Sequence, residues 1–189
     1  MPKDQAVQLP ILANETVFEG KIWNVERESF EYNGGVLTRE FVDHPGAVAI
    51  LAIDAKMQVL LIRQYRHPVR SYLWEIPAGL TDVPGEPRID AAKRELMEET
   101  GYEADGWEVL TDFMTTPGGN NEVITIFLAS GLRHVGHNLE LDGEEVDMIS
   151  QWFPLSDALN SVLKSEIQSP SAVVGIMAAA LKLGVTPSL

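Results

Sequence analysis

The stretch RELMEETGY, residues 94–102, places three glutamates on one face of a predicted helix. At 100° per residue, Glu99 lies about 40° to one side of Glu95, and Glu98 lies about 60° to the other. Like charges one turn apart repel each other and destabilise a helix by a few tenths of a kcal/mol. Such a face is either a solvated acidic surface or a site for a cation.

The flanking sequence favours the cation site. The helix is predicted to run over residues 88–100 and to end at Gly101, with Leu96 and Ile89 on the next face as anchors to a sheet. The preceding loop, IPAGLTDVPGE at residues 76–86, is rich in turn residues and brings backbone carbonyls beside the carboxylates. Hard divalent cations such as Mg²⁺ bind such oxygen ligands.

Composition limits the classes of function. The 189-residue chain has a formal net charge of −14, which argues against a nucleic-acid partner because there is no basic stripe to neutralise phosphates. The chain has no cysteine, so disulfides, thiolate catalysis and cysteine-based zinc sites are excluded. His134 and His137 lie close together in sequence but have no third partner for zinc. We find no signal peptide or membrane-length apolar run, so a cytoplasmic location with no membrane partner is expected.

The N-terminal part of the chain predicts a small β meander. Residues 1–13 are expected to form an arm, and alternating apolar residues then indicate three short strands, with a hairpin turn at residues 33–35. A three-stranded meander buries little by itself. We therefore predict that residues 1–45 form a domain that packs on the rest of the chain or mediates dimerisation, and that residues 46–189 form the main domain.

The main domain alternates between predicted strands and helices. AVAILAI, residues 47–53, is predicted to be a strand covered on both faces, and residues 57–65 are predicted to be its hairpin partner. The other predicted strands cover residues 73–76, 107–111, 123–130 and 147–153, and the later helices cover residues 154–163 and 172–183. This order predicts an α/β fold with helices on both faces of a mixed sheet.

The acidic helix resembles the signature of a known family. Six residues match the Nudix hydrolase signature at its spacing, namely Glu86, Arg94, Glu95, Glu98, Glu99 and Gly101. One departure is an extra residue between Gly79 and Glu86, around Val83, which puts the loop conformation in question but leaves the helix spacing intact. The resemblance implies the Nudix-type α/β/α sandwich with a mixed β-sheet, here preceded by the antiparallel meander.

Further segments resemble the ADP-ribose pyrophosphatase branch of this family. They are LIRQYRHPV before the signature, LWEIPAG leading into it, and MTTPGGNNEVITIFLASGL after it. In that branch a proline lies about 16 residues past the last glycine of the signature, and Pro117 is 16 residues after Gly101. The resemblance covers about residues 15–155.

The resemblance implies a magnesium site on the helix. Its implied ligands are Glu95, Glu99, Glu98 and the backbone carbonyl of Ala78. Glu86 and Arg94 would support these ligands, Arg94 by a bidentate ion pair with one carboxylate. Glu86 is also explained as an acid that the dipole favours at a helix N-terminus. Two or three Mg²⁺ ions, with Mn²⁺ as an alternative metal, would bridge the diphosphate and activate a water.

The branch resemblance also implies a base and substrate contacts. The base would come from the acidic loop ELDGEEVD, residues 140–147, with Glu144 as first choice and Glu145 as second, alongside Glu98; a solvated charge run remains the alternative. The expected substrate-binding residues are Arg39, Arg63, Arg66, Pro117 and Glu122. In the branch, the N-terminal strands of one subunit help to build the site of the other, which is where Arg39 would act. Adenine would need an aromatic or apolar partner, and the sequence does not decide among Trp23, Phe30 and Tyr65.

The function that the resemblance implies is Mg²⁺-dependent hydrolysis of ADP-ribose to AMP and ribose 5-phosphate in a homodimer. A metal-activated water would attack without a covalent intermediate. One alternative is a Nudix hydrolase acting on another nucleoside diphosphate sugar or a dinucleotide. Another is a non-catalytic module that senses ADP-ribose, against which the complete set of signature acids argues.

Overall fold

The computed structural model describes residues 1–136 and 147–187. Within these residues it contains ten β-strands, three α-helices and one 3-10 turn at His67–Val69. The strands and helices, in chain order, are β1 (Ile11–Glu19), β2 (Asn24–Tyr32), β3 (Gly35–Asp43), β4 (Ala47–Ala52), β5 (Gln58–Arg66), β6 (Ser71–Glu75), β7 (Ala78–Leu80), α1 (Arg88–Thr100), β8 (Tyr102–Met114), β9 (Val123–His134), β10 (Ile149–Pro154), α2 (Leu155–Leu163) and α3 (Pro170–Leu183).

The chain divides into two compact units. The first comprises Met1–Pro45 and Met114–Glu122, and the second comprises Gly46–Phe113 and Val123–Leu189. The segment 114–122 is grouped with residues 1–45 in the first unit. The division into a domain of residues 1–45 and a domain of residues 46–189 stays a prediction. A role of the meander in dimerisation stays a prediction.

The first unit contains the antiparallel sheet β1-β2-β3. Asn33 (φ 49°) and Gly34 (φ 76°) both adopt the left-handed conformation that a two-residue hairpin turn requires. The first strand begins at Ile11, so the predicted arm over residues 1–13 is too long by three residues. Strand β1 is exposed along its whole length, and a strand without a buried face carries no alternation that would mark its start.

The strands of the second unit form two sheets. A mixed sheet has the order β7-β4-β9-β8, with β4 antiparallel to β7 and parallel to β9, and an antiparallel sheet has the order β10-β5-β6. The predicted hairpin between residues 47–53 and 57–65 is therefore wrong. Both edges of β4 are occupied by β7 and β9, so β5 pairs elsewhere and meets the end of β4 only at the isolated bridge between Ile53 and Val59.

Helices cover both faces of this unit, which confirms the predicted α/β/α sandwich. Every residue of β4 is buried, and its side chains alternate between two clusters. The cluster with α1 contains Val48, Ile50, Ala52, Leu60, Ala91, Ala92, Leu96, Phe127 and Ala129. The cluster with α2 and α3 includes Ala49, Leu51, Val59, Leu61, Ile126, Leu155, Ala172 and Ile176.

The bounds of α1 agree with the prediction. Gly101 ends the helix at φ 69°, and its N–H donates to the carbonyl of Met97. A side chain at Gly101 would also lie 3.1 Å from the backbone of Gly136, so both conformation and space favour glycine there. No helix in the described part of the chain is long and apolar enough to cross a membrane.

Candidate active site

Arg94 lies at the centre of the acidic face of α1. Its Nε and Nη2 atoms donate to the two carboxylate oxygens of Glu86 at 3.2 and 3.1 Å, which is a bidentate pair. Its Nη1 atom donates to Glu95 at 2.6 Å and to Glu98 at 3.1 Å. The sequence predicted one carboxylate for this guanidinium, and the structure gives it three.

These contacts hold Arg94 in its charged form. The hydrogen bonds that Arg94 donates to Glu86 are the main cause that raises the pKa of Arg94 above its ordinary value. The hydrogen bond to Glu95, the negative charge of Glu95 and the hydrogen bond to Glu98 raise it further. Partial burial acts in the opposite direction and is outweighed. The guanidinium is therefore a fixed positive charge between carboxylates, and it offsets part of their mutual repulsion.

Strand β7 runs against the other side of the acidic face. Glu99 is buried, and its Oε2 atom accepts a hydrogen bond from the N–H of Ala78 at 3.0 Å. A Cβ atom on Gly79 would overlap the carboxylate of Glu95, so a side chain at residue 79 would displace this acid from its place beside the strand. The structure thus brings Ala78 and Glu99 together as predicted, although through the N–H of Ala78; its carbonyl as a metal ligand stays a prediction.

The chemistry of this face fits a hard divalent cation. Four carboxylates lie close together here, three on α1 and one in the loop before it: Glu95, Glu98, Glu99 and Glu86. Carboxylate oxygens are the ligands that Mg²⁺ prefers. Among residues 1–136 and 147–187, however, no three acidic or histidine side chains already converge as metal ligands. Arg94 hydrogen-bonds three of the four acids instead.

The two arginines predicted on β5 lie on opposite faces of their sheet. Arg66 forms a bidentate pair with Glu75 on β6, through Nε at 3.1 Å and Nη2 at 2.7 Å. Arg63 stacks over the rings of Tyr72 and Trp74, at 5.2 and 5.9 Å from their centroids, and its Nε is buried without a hydrogen-bond partner among the described residues. Because the two side chains point to opposite faces of the sheet, the structure does not support binding of one substrate by both arginines.

The remaining predicted substrate residues belong to the first unit. Glu122 accepts a hydrogen bond from the hydroxyl of Thr115 at 2.7 Å and lies 3.5 Å from the imidazole Nδ1 of His44. Arg39 is exposed and donates to the carbonyl of Thr38 at 2.8 Å. Pro117 lies in the loop Met114–Glu122, whose Gly119 carbonyl accepts a hydrogen bond from the N–H of Val42. Their contacts with substrate stay predictions.

The two loop glutamates predicted as the base, Glu144 and Glu145, lie outside the described residues, as does His137. Sequence reasoning did not single out Glu75 or the close approach of the Glu95 carboxylate to residue 79. Glu75 stands within the quoted LWEIPAG segment, directly after Trp74 and before Ile76. An acid between bulky apolar residues at a strand end is the signal that points to a buried, paired carboxylate.

The fold and the spacing of the acidic helix define a Nudix domain, and a model of the NUDIX domain matches residues 43–172. The chain therefore belongs to the Nudix hydrolase family. A Mycobacterium tuberculosis protein named ADP-ribose pyrophosphatase is 44% identical over 168 residues, which are 88% of this chain and 81% of that protein. A Bacillus subtilis protein of the same name is 37% identical over 90% of this chain and 92% of its own length.

A solved structure gives the same result at the level of the fold. A protein described as an ADP compounds hydrolase superposes with a TM-score of 0.79 and 26% sequence identity, over 96% of this chain and 97% of its own. The chain is thus an enzyme of the Nudix pyrophosphatase type, and its relatives include enzymes named for ADP-ribose.

Proposed function

We propose that this protein hydrolyses the diphosphate bond of ADP-ribose and releases AMP and ribose 5-phosphate. The observation that carries the proposal is the acidic face of α1, where Glu86, Glu95 and Glu98 surround Arg94 and Glu99 is seated on β7. Two relatives that match about nine tenths of the chain are named ADP-ribose pyrophosphatase, which supports this substrate.

The role proposed for the chain's own residues is to hold oxygen ligands in place. Glu95, Glu98 and Glu99, with the carbonyl of Ala78, would bind two or three Mg²⁺ ions, or Mn²⁺ in their place. When bound, these ions would supply charge neutralisation at the diphosphate and an activated water. Arg94 and Glu86 fix the acids from within the cluster, and Gly79 leaves the space that Glu95 occupies.

Other residues are proposed to serve the substrate. Arg66 would contact the diphosphate, because a planar guanidinium suits phosphate oxygens. Glu144, with Glu145 as second choice, would act as the base together with Glu98. Pro117, Glu122 and Arg39 would contact the nucleoside or the terminal ribose. A contact of Arg63 with the substrate stays a prediction, because its side chain lies over aromatic rings on the face of the sheet opposite to Arg66.

A homodimer is part of the proposal. The first unit exposes a set of large apolar side chains that monomeric proteins seldom leave uncovered, and a second copy of the chain would cover them. They are Ile11, Leu12, Val17, Phe18, Ile22, Trp23, Tyr32 and Val36. A cytoplasmic location, with neither nucleic acid nor membrane as a partner, stays a prediction.

A hydrolysis panel tests the proposal. ADP-ribose, ADP-glucose, GDP-mannose, NADH and diadenosine polyphosphates are each assayed with Mg²⁺, Mn²⁺ and EDTA, with products separated by chromatography. We expect rapid, metal-dependent release of AMP from ADP-ribose and slow turnover of the others. Faster cleavage of another compound would replace the substrate but keep the acidic helix. Binding of ADP-ribose without hydrolysis of any compound would favour a sensing module.

A further inference from the structure

We infer that Glu75 is a positioning residue that orients Arg66 toward the diphosphate of the substrate. This inference rests on the proposed function, since it assumes a substrate with a diphosphate group. It starts from the one carboxylate of β6, which the proposed reaction does not otherwise use. Glu75 is only 5% exposed, whereas the side chain of Arg66 retains 41% of its surface.

The contact between the two residues fixes an orientation. Nε and Nη2 of Arg66 donate to the two different oxygens of the Glu75 carboxylate, at 3.1 and 2.7 Å. Two parallel hydrogen bonds define the plane of the guanidinium, which a single bond would leave free to rotate.

Glu75 and Arg66 lie on the face of the β10-β5-β6 sheet that packs toward helix α1. Leu60 packs in the cluster that contains Leu96 of α1, and side chains along a strand alternate between faces. Gln64 and Arg66 therefore share the face of Leu60, and so does Glu75, which pairs with Ile62 across the two strands. The amide of Gln64 also approaches Oε2 of Glu75, at 3.5 Å.

Stability alone does not account for a charge at this place. Burying a carboxylate is unfavourable, and a buried ion pair is often no more stabilising than apolar residues of similar volume. Glu75 follows Leu73 and Trp74 on β6, and these positions show that the strand accommodates apolar side chains. The buried carboxylate of Glu75 instead fixes the half-exposed guanidinium of Arg66 in an orientation in which it can bind a ligand.

The exposed pair Arg133–Glu103 provides a contrast within the same unit. Both of its side chains are about half exposed or more, at 60% and 49%, and they join two strands at the surface. Exposed pairs of this kind contribute little to stability and leave both partners mobile. Glu103→Gln is therefore a matched control, because it makes the same chemical change outside the proposed site.

The experiment compares Glu75→Gln, Arg66→Gln, the double variant and Glu103→Gln. For each we would measure kcat and KM for ADP-ribose with Mg²⁺, ADP-ribose affinity in EDTA by calorimetry, and the melting temperature. We expect Glu75→Gln to raise KM about tenfold, as for one hydrogen bond to a charged group, and to change kcat less than about threefold. The double variant should be no worse than Arg66→Gln, and Glu103→Gln should match wild type.

Two results would overturn the inference. One is a folded Glu75→Gln variant with unchanged KM and unchanged ADP-ribose affinity. The other is a double variant whose loss equals the product of the two single losses. If Glu75→Gln does not fold, Arg66→Lys replaces it: this variant keeps the charge but loses the bidentate pair. Its KM should then approach that of Arg66→Gln, and a wild-type KM would contradict positioning.

The outcomes separate this inference from the proposed function. An active wild-type enzyme with an unaffected Glu75→Gln variant would contradict only the role of Glu75. A wild-type protein that fails to hydrolyse ADP-ribose would contradict the proposed function. In that case the affinities measured in EDTA still decide whether Glu75 and Arg66 act as one unit toward the diphosphate.

Discussion

Arg94 changes how the charge of the acidic face is balanced. From the sequence, the repulsion among Glu95, Glu98 and Glu99 was explained by cations alone. In the structure the guanidinium hydrogen-bonds Glu86, Glu95 and Glu98, so the protein supplies part of the compensation itself. Glu98→Gln is therefore not expected to stabilise the metal-free protein, because the change removes an attraction to Arg94 as well as a repulsion between acids.

The first prediction concerns this arginine. Arg94→Ala leaves partly buried carboxylates without their shared cation, so the free energy of unfolding in EDTA should fall by about 1–3 kcal/mol. Mg²⁺ should restore more stability to this variant than to wild type, because the cation takes over the compensation. Thermal melts in EDTA and in MgCl₂ measure both effects.

The control for this prediction is Arg133→Ala, which removes an arginine from an exposed pair with Glu103. It should change the melting temperature little in either buffer. If Arg94→Ala melted like wild type in EDTA, the view of Arg94 as the centre of the acidic face would be wrong.

The second prediction concerns Gly79. In Gly79→Ala the new methyl group would occupy the position of the Glu95 carboxylate, so this acid must move. We expect kcat/KM for ADP-ribose to fall by at least about a hundredfold, because a proposed metal ligand is displaced. Gly35→Ala is the control, because its methyl group would meet no atom closer than 3.7 Å. Equal activity of both variants would contradict the claim that the Glu95 carboxylate must lie against Gly79 of β7 for activity.

At the scale of the elements, α1 is held by a small buried face. Leu96 is fully buried in the cluster that also contains Val48 and Phe127. Because the position of the helix also sets the positions of the acids on its neighbouring face, the packing of Leu96 is coupled to the geometry of the proposed metal site.

The third prediction tests that packing. Leu96→Ala should cost about 2–4 kcal/mol in the free energy of unfolding, from lost burial and the cavity left behind. Urea unfolding measures it, with Leu181→Ala as control, since Leu181 on α3 is 82% exposed. A cost for Leu96→Ala as small as that for Leu181→Ala would show that α1 does not depend on this anchor.

The elements also show which parts of the fold were predictable. Helix α1 was predicted with its observed bounds, because its apolar spacing and Gly101 are local signals. The pairing of β4 with β9 was not predicted. These strands are distant in sequence, and such partners are selected by the burial of both sheet faces, whereas the prediction used only the short turn between β4 and β5.

The same distinction holds for the site. The acids of α1 follow from spacing along one helix. The opposite directions of Arg63 and Arg66 could have been read from strand alternation, since their separation of three residues is odd. The buried partner of Arg66 lies on another strand, and no local pattern joins Glu75 to it.

At the scale of the whole molecule, the first unit leaves its apolar residues exposed. The fourth prediction is that light scattering at micromolar concentration gives the mass of two chains. Phe18→Asp should shift the protein toward a single chain, because it places a charge within the set of exposed side chains. Leu181→Asp, on the exposed surface of α3, should leave the dimer intact. A single-chain mass for wild type would exclude the proposed dimer.

The central claim is that the acids of α1 make this protein a metal-dependent ADP-ribose hydrolase. Glu99→Gln tests it most directly, because glutamine keeps an oxygen to accept the Ala78 N–H bond while it removes the charge. The measurement is AMP release from ADP-ribose as Mg²⁺ is titrated, for wild type, Glu99→Gln and the control Glu103→Gln.

We predict that wild type and Glu103→Gln release AMP only with Mg²⁺, and that Glu99→Gln is slower by at least about a hundredfold at every concentration. Undiminished turnover in Glu99→Gln, or turnover by wild type in EDTA, would contradict the account.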